Sequence, residues 1–149
     1  MIRQATLNDI EDIVELASLL WEKADREELK EEFHDILATD NGQVFLKYDV
    51  QIAVGFAQCQ LRYDYVEGTK TTPDGYLEGI FVKENFQNKG YAKALVLACE
   101  NWAKTKGCVE FASDCPLENY CSFAFHRAMG FTEVNRIICF TKRLIKENQ

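Results

Sequence analysis

Residues 76–103 read YLEGIFVKENFQNKGYAKALVLACENWA, and the fold turns on how they are divided. The opening run Tyr76-Leu77-Glu78-Gly79-Ile80-Phe81-Val82 predicts a strand. Ala94, Leu95, Leu97, Ala98, Trp102 and Ala103 then recur at helical spacing. Between them lies the polar turn Lys83-Glu84-Asn85-Phe86-Gln87-Asn88-Lys89-Gly90-Tyr91. A strand that runs straight into a helix leaves the first helical N–H groups without intrahelical partners. With the positive end of the helix dipole, those donors form an anion site. Gly90 lets a phosphate approach the backbone, and Lys89 and Lys93 add positive charge. The turn lacks the Gly-Lys-Ser/Thr of a Walker A loop and the three glycines of a dinucleotide fingerprint. Gly90 alone also fits a plain tight turn.

Working outward, Gly107 stops the helix and residues 109–113 read as another strand. Strand–helix–strand implies parallel pairing with a right-handed crossover. Upstream, residues 43–47 and 52–61 form an expected antiparallel pair, and residues 2–5 a short first strand. Asn8 is a candidate helix cap with Glu11 reaching back, ahead of a buried face of Ile10, Ile13, Val14, Ala17, Leu20 and Trp21. A second helix is expected over 25–38. Its Glu27, Glu28, Glu31, Glu32 and Asp35 read first as a solvated face, and second as an attraction for a cationic ligand. The loop 62–75 holds Tyr63, Asp64, Tyr65 and Glu67, which suit a polycationic ring-shaped ligand but also fit a hairpin loop with exposed tyrosines. A further helix is expected over 118–128, ended by Gly130. Residues 131–144 are expected to form an extended strand, being rich in β-formers, and contain no Gly or Pro for an internal hairpin turn.

The 149 residues suit one domain, and no apolar run is long enough to span a bilayer. No secretory signal opens the chain, so a cytoplasmic protein is expected. Cys59, Cys99, Cys108, Cys115, Cys121 and Cys139 contain no C-x-x-C pair and read as reduced thiols used as small core residues. With only His34 and His126, no metal site is expected. A net charge of −7 repels nucleic acid and attracts a cationic small molecule, though acidity also serves solubility alone.

The run Gln87-Asn88-Lys89-Gly90-Tyr91-Ala92 resembles the Q/R-x-x-G-x-G/A signature of the GNAT superfamily of acyl-CoA-dependent N-acetyltransferases. A second stretch, from Asn119 through Ser122-Phe123-Ala124-Phe125-His126 to Met129-Gly130-Phe131, resembles that superfamily's N-x-x-A-x-x-x-Y-x-x-x-G-F segment. The short straight tail resembles the branch of bacterial aminoglycoside 6′-N-acetyltransferases, as do Leu19-Leu20-Trp21, Tyr65, residues 77–82, Ala112-Ser113-Asp114 and Phe125-His126-Arg127-Ala128.

The resemblance implies an α/β (α+β) fold: a mixed central sheet of six to seven strands, about four helices, and a splayed parallel strand pair forming an acyl-CoA cleft. It implies that the backbone of Ile80, Phe81 and Val82 pairs with the pantetheine arm of acetyl-CoA. Gln87, Asn88, Lys89, Gly90, Tyr91, Ala92 and Lys93 would cradle the pyrophosphate, and Asn119 would contact the cofactor near its thioester. Trp21, Tyr65, Glu78, Asp114 and Asn135 would line the aminoglycoside site. It also implies a homodimer joined partly through the tail. Trp21 equally completes a core stripe, whereas Glu78 inside an apolar strand needs a partner.

Many superfamily members carry Tyr, as the acid for the departing thiolate, where this chain has His126; the aminoglycoside branch shares the His. The branch often has Glu where this chain has Asn135. Chemically, the attacking amine must lose a proton to a base, directly or through water. The tetrahedral intermediate needs N–H donors, which the backbone around Ile80 can supply. Glu78 is the favoured base relay and Asp114 the residue that positions the amine, although the two roles are interchangeable. Direct transfer is expected over an acyl-cysteine route, because no Cys is paired in sequence with a base. Two alternatives stand beside this reading. One is an acetyltransferase for a polyamine, amino acid or peptide N-terminus. The other is a non-catalytic acyl-CoA-binding module.

Overall fold

The structure is a computed structural model that describes residues 1–146. Its elements, in chain order, are β1 (Ile2–Gln4), a 3-10 turn (Leu7–Asp9), α1 (Ile10–Leu20), α2 (Arg26–Leu37), β2 (Gly42–Asp49), β3 (Ile52–Arg62), β4 (Asp74–Val82), a second 3-10 turn (Glu84–Phe86), α3 (Tyr91–Thr105), β5 (Phe111–Ala112) and α4 (Tyr120–Ala128). The chain divides into two compact units, residues 1–114 and 115–149.

In the first unit the strands form one sheet in the order β1-β2-β3-β4-β5. The first three pairings are antiparallel and β4–β5 is parallel, as a strand–helix–strand crossover requires. Ala53 to Cys59 of β3 are all buried, as expected of a strand covered on both faces. On one face Phe56 packs in a cluster with Ile13, Leu16 and Ala17 of α1 and with Leu29 and Phe33 of α2. On the other lies α3. A Cβ built on Gly55 would meet Leu95 at 3.3 Å, and one on Gly75 would meet Ala103 at 2.7 Å. These glycines let α3 lie close against the sheet.

Three expectations are corrected. Asn8 does not cap α1, because it lies inside the first 3-10 turn. The Asp9 carboxylate instead accepts the Thr6 N–H at 2.8 Å, held there by a two-pronged ion pair with Arg3. The sheet has five strands among the described residues rather than six or seven. Residues 131–144 form no strand, since a β-rich segment becomes one only when another strand accepts its hydrogen bonds.

In the second unit, Asn119 caps α4 by accepting the Ser122 N–H at 3.0 Å, and Gly130 ends the helix at φ 94°.

Candidate active site

The turn between β4 and α3 is built for close backbone approach. Gly90 has φ 81° and stands as the cap residue of α3, with no side chain bonded over the helix end. The first backbone bond of the helix runs from the Ala94 N–H to the Gly90 carbonyl at 3.1 Å. The N–H groups of Tyr91, Ala92 and Lys93 therefore precede the intrahelical ladder. Asn88, at φ 63°, also takes the left-handed conformation. Gln87 turns its side chain back, donating from Nε2 to the Val82 carbonyl at 3.0 Å, and so ties the turn to the end of β4. Sequence reading missed Lys47 of β2, whose Nζ lies 4.4 Å from the Tyr91 ring centroid. They meet because the start of α3 packs against β2.

Strand β4 is paired with β3 from Asp74 to Val82, but with β5 only at Gly75–Phe111 and Tyr76–Ala112. From Leu77 onward, the β4 edge away from β3 carries no strand partner among the described residues. Ile80 and Phe81 lie on this open stretch and are partly exposed. An extended ligand can add there as a strand would.

Opposite Gln58 and Cys59, the β3–β4 register slips by one residue. Gly79 faces Gln58 and Leu77 faces Cys59, so Glu78 is the extra residue of a bulge. Bulges re-aim side chains, and Glu78 lines a cavity of about 290 Å³ with Trp21, Ala24, Asp25, Glu28, Leu29, Glu32 and Gln58. Four carboxylates and no Lys or Arg line it. Glu28 and Glu32 share one face of α2 by their spacing, and Asp25 stands at the cap position just before it. Part of the acidic run thus faces a cavity, where sequence reading favoured a solvated face. Trp21 stands both in the core and at the cavity wall. Its ring stacks on Phe33 at 6.5 Å and meets Phe56 edge-on at 6.1 Å, while also walling the cavity.

Glu78 has the partner its position demands, and sequence reading missed it. Arg62, the last residue of β3, donates from Nε to Oε2 at 3.1 Å and from Nη2 to Oε1 at 2.8 Å. Its guanidinium lies 3.4 Å from the centroid of the Tyr76 ring. The Tyr76 hydroxyl in turn donates to Asp114. Burial first, and that hydrogen bond second, push the Tyr76 phenol well above its ordinary range, so it stays a donor. Glu78 and Asp114 are thus bridged through Arg62 and Tyr76.

The other candidate residues are placed differently. Tyr65 is 81% exposed, bonds to Glu67 and does not line the cavity. In the second unit, Asn119 commits its Oδ1 to the α4 cap, and the Asn135 Oδ1 accepts the Arg136 N–H at 2.8 Å. His126 has Nδ1 2.7 Å from the Ser122 carbonyl oxygen, which can only accept, so Nδ1 carries hydrogen. Three of the six cysteines are buried, but Cys115 is partly exposed and Cys121 and Cys139 are exposed, so the core-residue expectation holds only for Cys59, Cys99 and Cys108. A hydrogen bond with Cys59, then burial, raise the Cys99 thiol; burial raises Cys108. Neither is an activated nucleophile. Among the described residues, no group of three or more His, Cys, Asp or Glu is arranged to hold a metal ion.

The open edge of β4, the uncapped start of α3 that follows it and the carboxylate-lined cavity beside Glu78 suit an extended ligand, an anionic group and a cation respectively. The chain belongs to the acetyltransferase (GNAT) family, whose family model matches residues 10–131. It is 36% identical over 143 residues to an aminoglycoside N(6′)-acetyltransferase type 1 of Acinetobacter haemolyticus, covering 96% of this chain and 98% of that one. It is 41% identical over 140 residues to the protein of that name from Stenotrophomonas maltophilia, covering 93% and 90%. Among solved structures, AAC(6′)-Iy in complex with the bisubstrate analogue CoA-S-monomethyl-acetylneamine superposes with a TM-score of 0.93 at 37% identity, over 96% of this chain and 97% of that one. The apo aminoglycoside 6′-N-acetyltransferase AAC(6′)-IG of A. haemolyticus gives 0.91 at 35%, over 97% and 99%.

Proposed function

We propose that this protein uses acetyl-CoA to acetylate the 6′-amino group of aminoglycosides by direct transfer in a ternary complex, and thereby confers resistance. The observation that carries the reading is the meeting, on β4, of an open strand edge and a cavity lined by Asp25, Glu28, Glu32 and Glu78. A polycationic sugar fits four carboxylates, and an extended pantetheine arm fits the edge at Ile80, Phe81 and Val82. The pyrophosphate lies against residues 87–93 at the start of α3. Relatives with this name, and a related structure holding a CoA-linked acetylneamine, support the pairing of donor and acceptor.

In this reading Trp21 and Glu78 hold the sugar, with Tyr65 contributing from its loop. Asp114 positions the reacting amine, and Glu78 relays its proton through water. Backbone N–H groups around Ile80 stabilise the tetrahedral oxyanion, and thiolate departs as CoA. We place the enzyme in the cytoplasm, as a homodimer, with neither nucleic acid nor membrane as partner.

A thiol-release assay with acetyl-CoA tests the function. Turnover is expected with aminoglycosides bearing a 6′-amine, and none with analogues carrying a 6′-hydroxyl. Turnover confined to polyamines or peptides would reassign the acceptor, and tight CoA binding without any turnover would favour a binding module.

A further inference from the structure

Arg62 is an odd residue to find beside a site for cations. It occupies both oxygens of Glu78, covers the Tyr76 ring, and reduces the net negative charge of the carboxylate pair. Attraction alone would be stronger without it. Its geometry explains its presence. In the antiparallel register Arg62 faces Asp74, and Gln60 faces Tyr76. The Arg62 side chain therefore runs along β4, passing over Tyr76 to reach Glu78, two residues further on. A planar fork grips a carboxylate at both oxygens and fixes its plane, which a lysine ammonium cannot do. Glu78 needs that grip because it sits on a bulge, without the regular ladder that orients its neighbours. The ring beneath the guanidinium belongs to the residue that donates to Asp114. One cation thus sets where both carboxylates stand.

We infer that Arg62 is a positioning residue for acetyl transfer, acting through Glu78 directly and through Tyr76 on Asp114. The inference rests on the reading of Glu78 and Asp114 as the pair that receives the amine. Arg62 remains charged throughout the working pH range, since the Glu78 hydrogen bonds raise its already high pKa. The grip is permanent, not a pH switch. Misplacing a reacting group by about 1 Å costs on the order of a hundredfold in rate, whereas removing a cation does not weaken attraction for a polycation. The signature is therefore a fall in kcat without a rise in KM for the aminoglycoside.

Steady-state kinetics of Arg62→Met, Arg62→Lys, Glu78→Gln, Asp114→Asn and the Arg62→Met/Glu78→Gln double variant test it, beside CoA calorimetry and melting of each. For Arg62→Met, kcat should fall at least tenfold, with aminoglycoside KM unchanged or lower and CoA affinity within twofold. Arg62→Lys should recover less than a third of the loss, because charge without the fork does not fix the carboxylate. The double variant should lose clearly less than the product of the two single losses, with any further fall below Glu78→Gln being the share carried through Tyr76 and Asp114. Wild-type kcat in Arg62→Met, full rescue by Lys, or additive losses in the double variant would each overturn the inference. If Glu78→Gln and Asp114→Asn both turn over normally, the reading of the acidic pair itself fails. If those two lose turnover and Arg62→Met does not, only the role of Arg62 is lost.

Discussion

A Cβ on Gly79 would lie 2.7 and 2.8 Å from two carbons of the Trp21 indole. That single hydrogen lets the indole lie against β4 beside Glu78. Gly79→Ala should therefore push Trp21 off its place, costing about 1–3 kcal/mol by overpacking. It should also raise aminoglycoside KM several-fold, with CoA affinity intact; kinetics and urea melts read both. Residue chemistry also fixes a pH dependence at Asp9. The Arg3 hydrogen bonds, ahead of the Thr6 N–H, hold its carboxyl at about 2 instead of 3.8. A depressed carboxyl stabilises the fold above its unfolded pKa and loses that contribution as pH falls through its folded one. Because Arg3 is 42% exposed, the contribution is discounted to about 1–2 kcal/mol. Asp9→Asn should show that deficit in urea melts at pH 7, and the deficit should narrow as pH falls from 4 towards 2. Glu78 was legible in the sequence because a carboxylate in an apolar strand needs a partner. Arg62 was not, because its identity as that partner depends on a register slip between β3 and β4.

The strand–turn–helix from β4 to α3 was the most legible element. Apolar strand, polar turn and helical periodicity are each local, and the expected strand over 76–82 falls within the observed Asp74–Val82. What periodicity does not carry is how loops are pinned. The buried Asp74 carboxylate accepts Thr69 Oγ1 at 2.6 Å and Thr71 Oγ1 at 2.9 Å, and Glu110 accepts the Lys70 N–H at 2.8 Å. These bonds restrain the loop that carries Tyr65, and they span up to 40 positions. The turn at Gly90 yields a prediction that separates ligand from fold. A Cβ there meets nothing within 4 Å, so its protein cost is confined to the backbone at φ 81°. That strain is roughly 1–2 kcal/mol for an L-residue. The open space ahead of it is where the pyrophosphate is proposed to lie. Gly90→Val should weaken CoA binding at least tenfold by calorimetry, with a modest fall in melting temperature. Unchanged CoA affinity in the folded variant would move the phosphate site elsewhere.

At the scale of the whole molecule, the tail is where sequence and single chain part company. Residues 131–144 read as extended and β-rich, and the structure assigns them no strand among the described residues. Both statements are compatible, because β propensity is a preference for a pleated, half-buried surface that another strand must complete. Within the second unit Val134, Ile137, Ile138, Phe140, Leu144 and Ile145 are between 59% and 88% exposed. Six large apolar side chains gathered in one exposed segment suit an association surface. The proposed partner is a second copy of this chain, since a two-fold pairing lets each tail meet the same surface on the other subunit. Sedimentation at micromolar concentration should give the mass of a dimer. Ile138→Asp changes a residue that is 81% exposed in the single chain. It should cost the isolated chain no more than about 0.5 kcal/mol, yet it places a charge in the proposed interface. The variant should sediment as a monomer while each chain still binds CoA. A wild-type monomer, or a variant that stays dimeric, would remove the tail from the assembly.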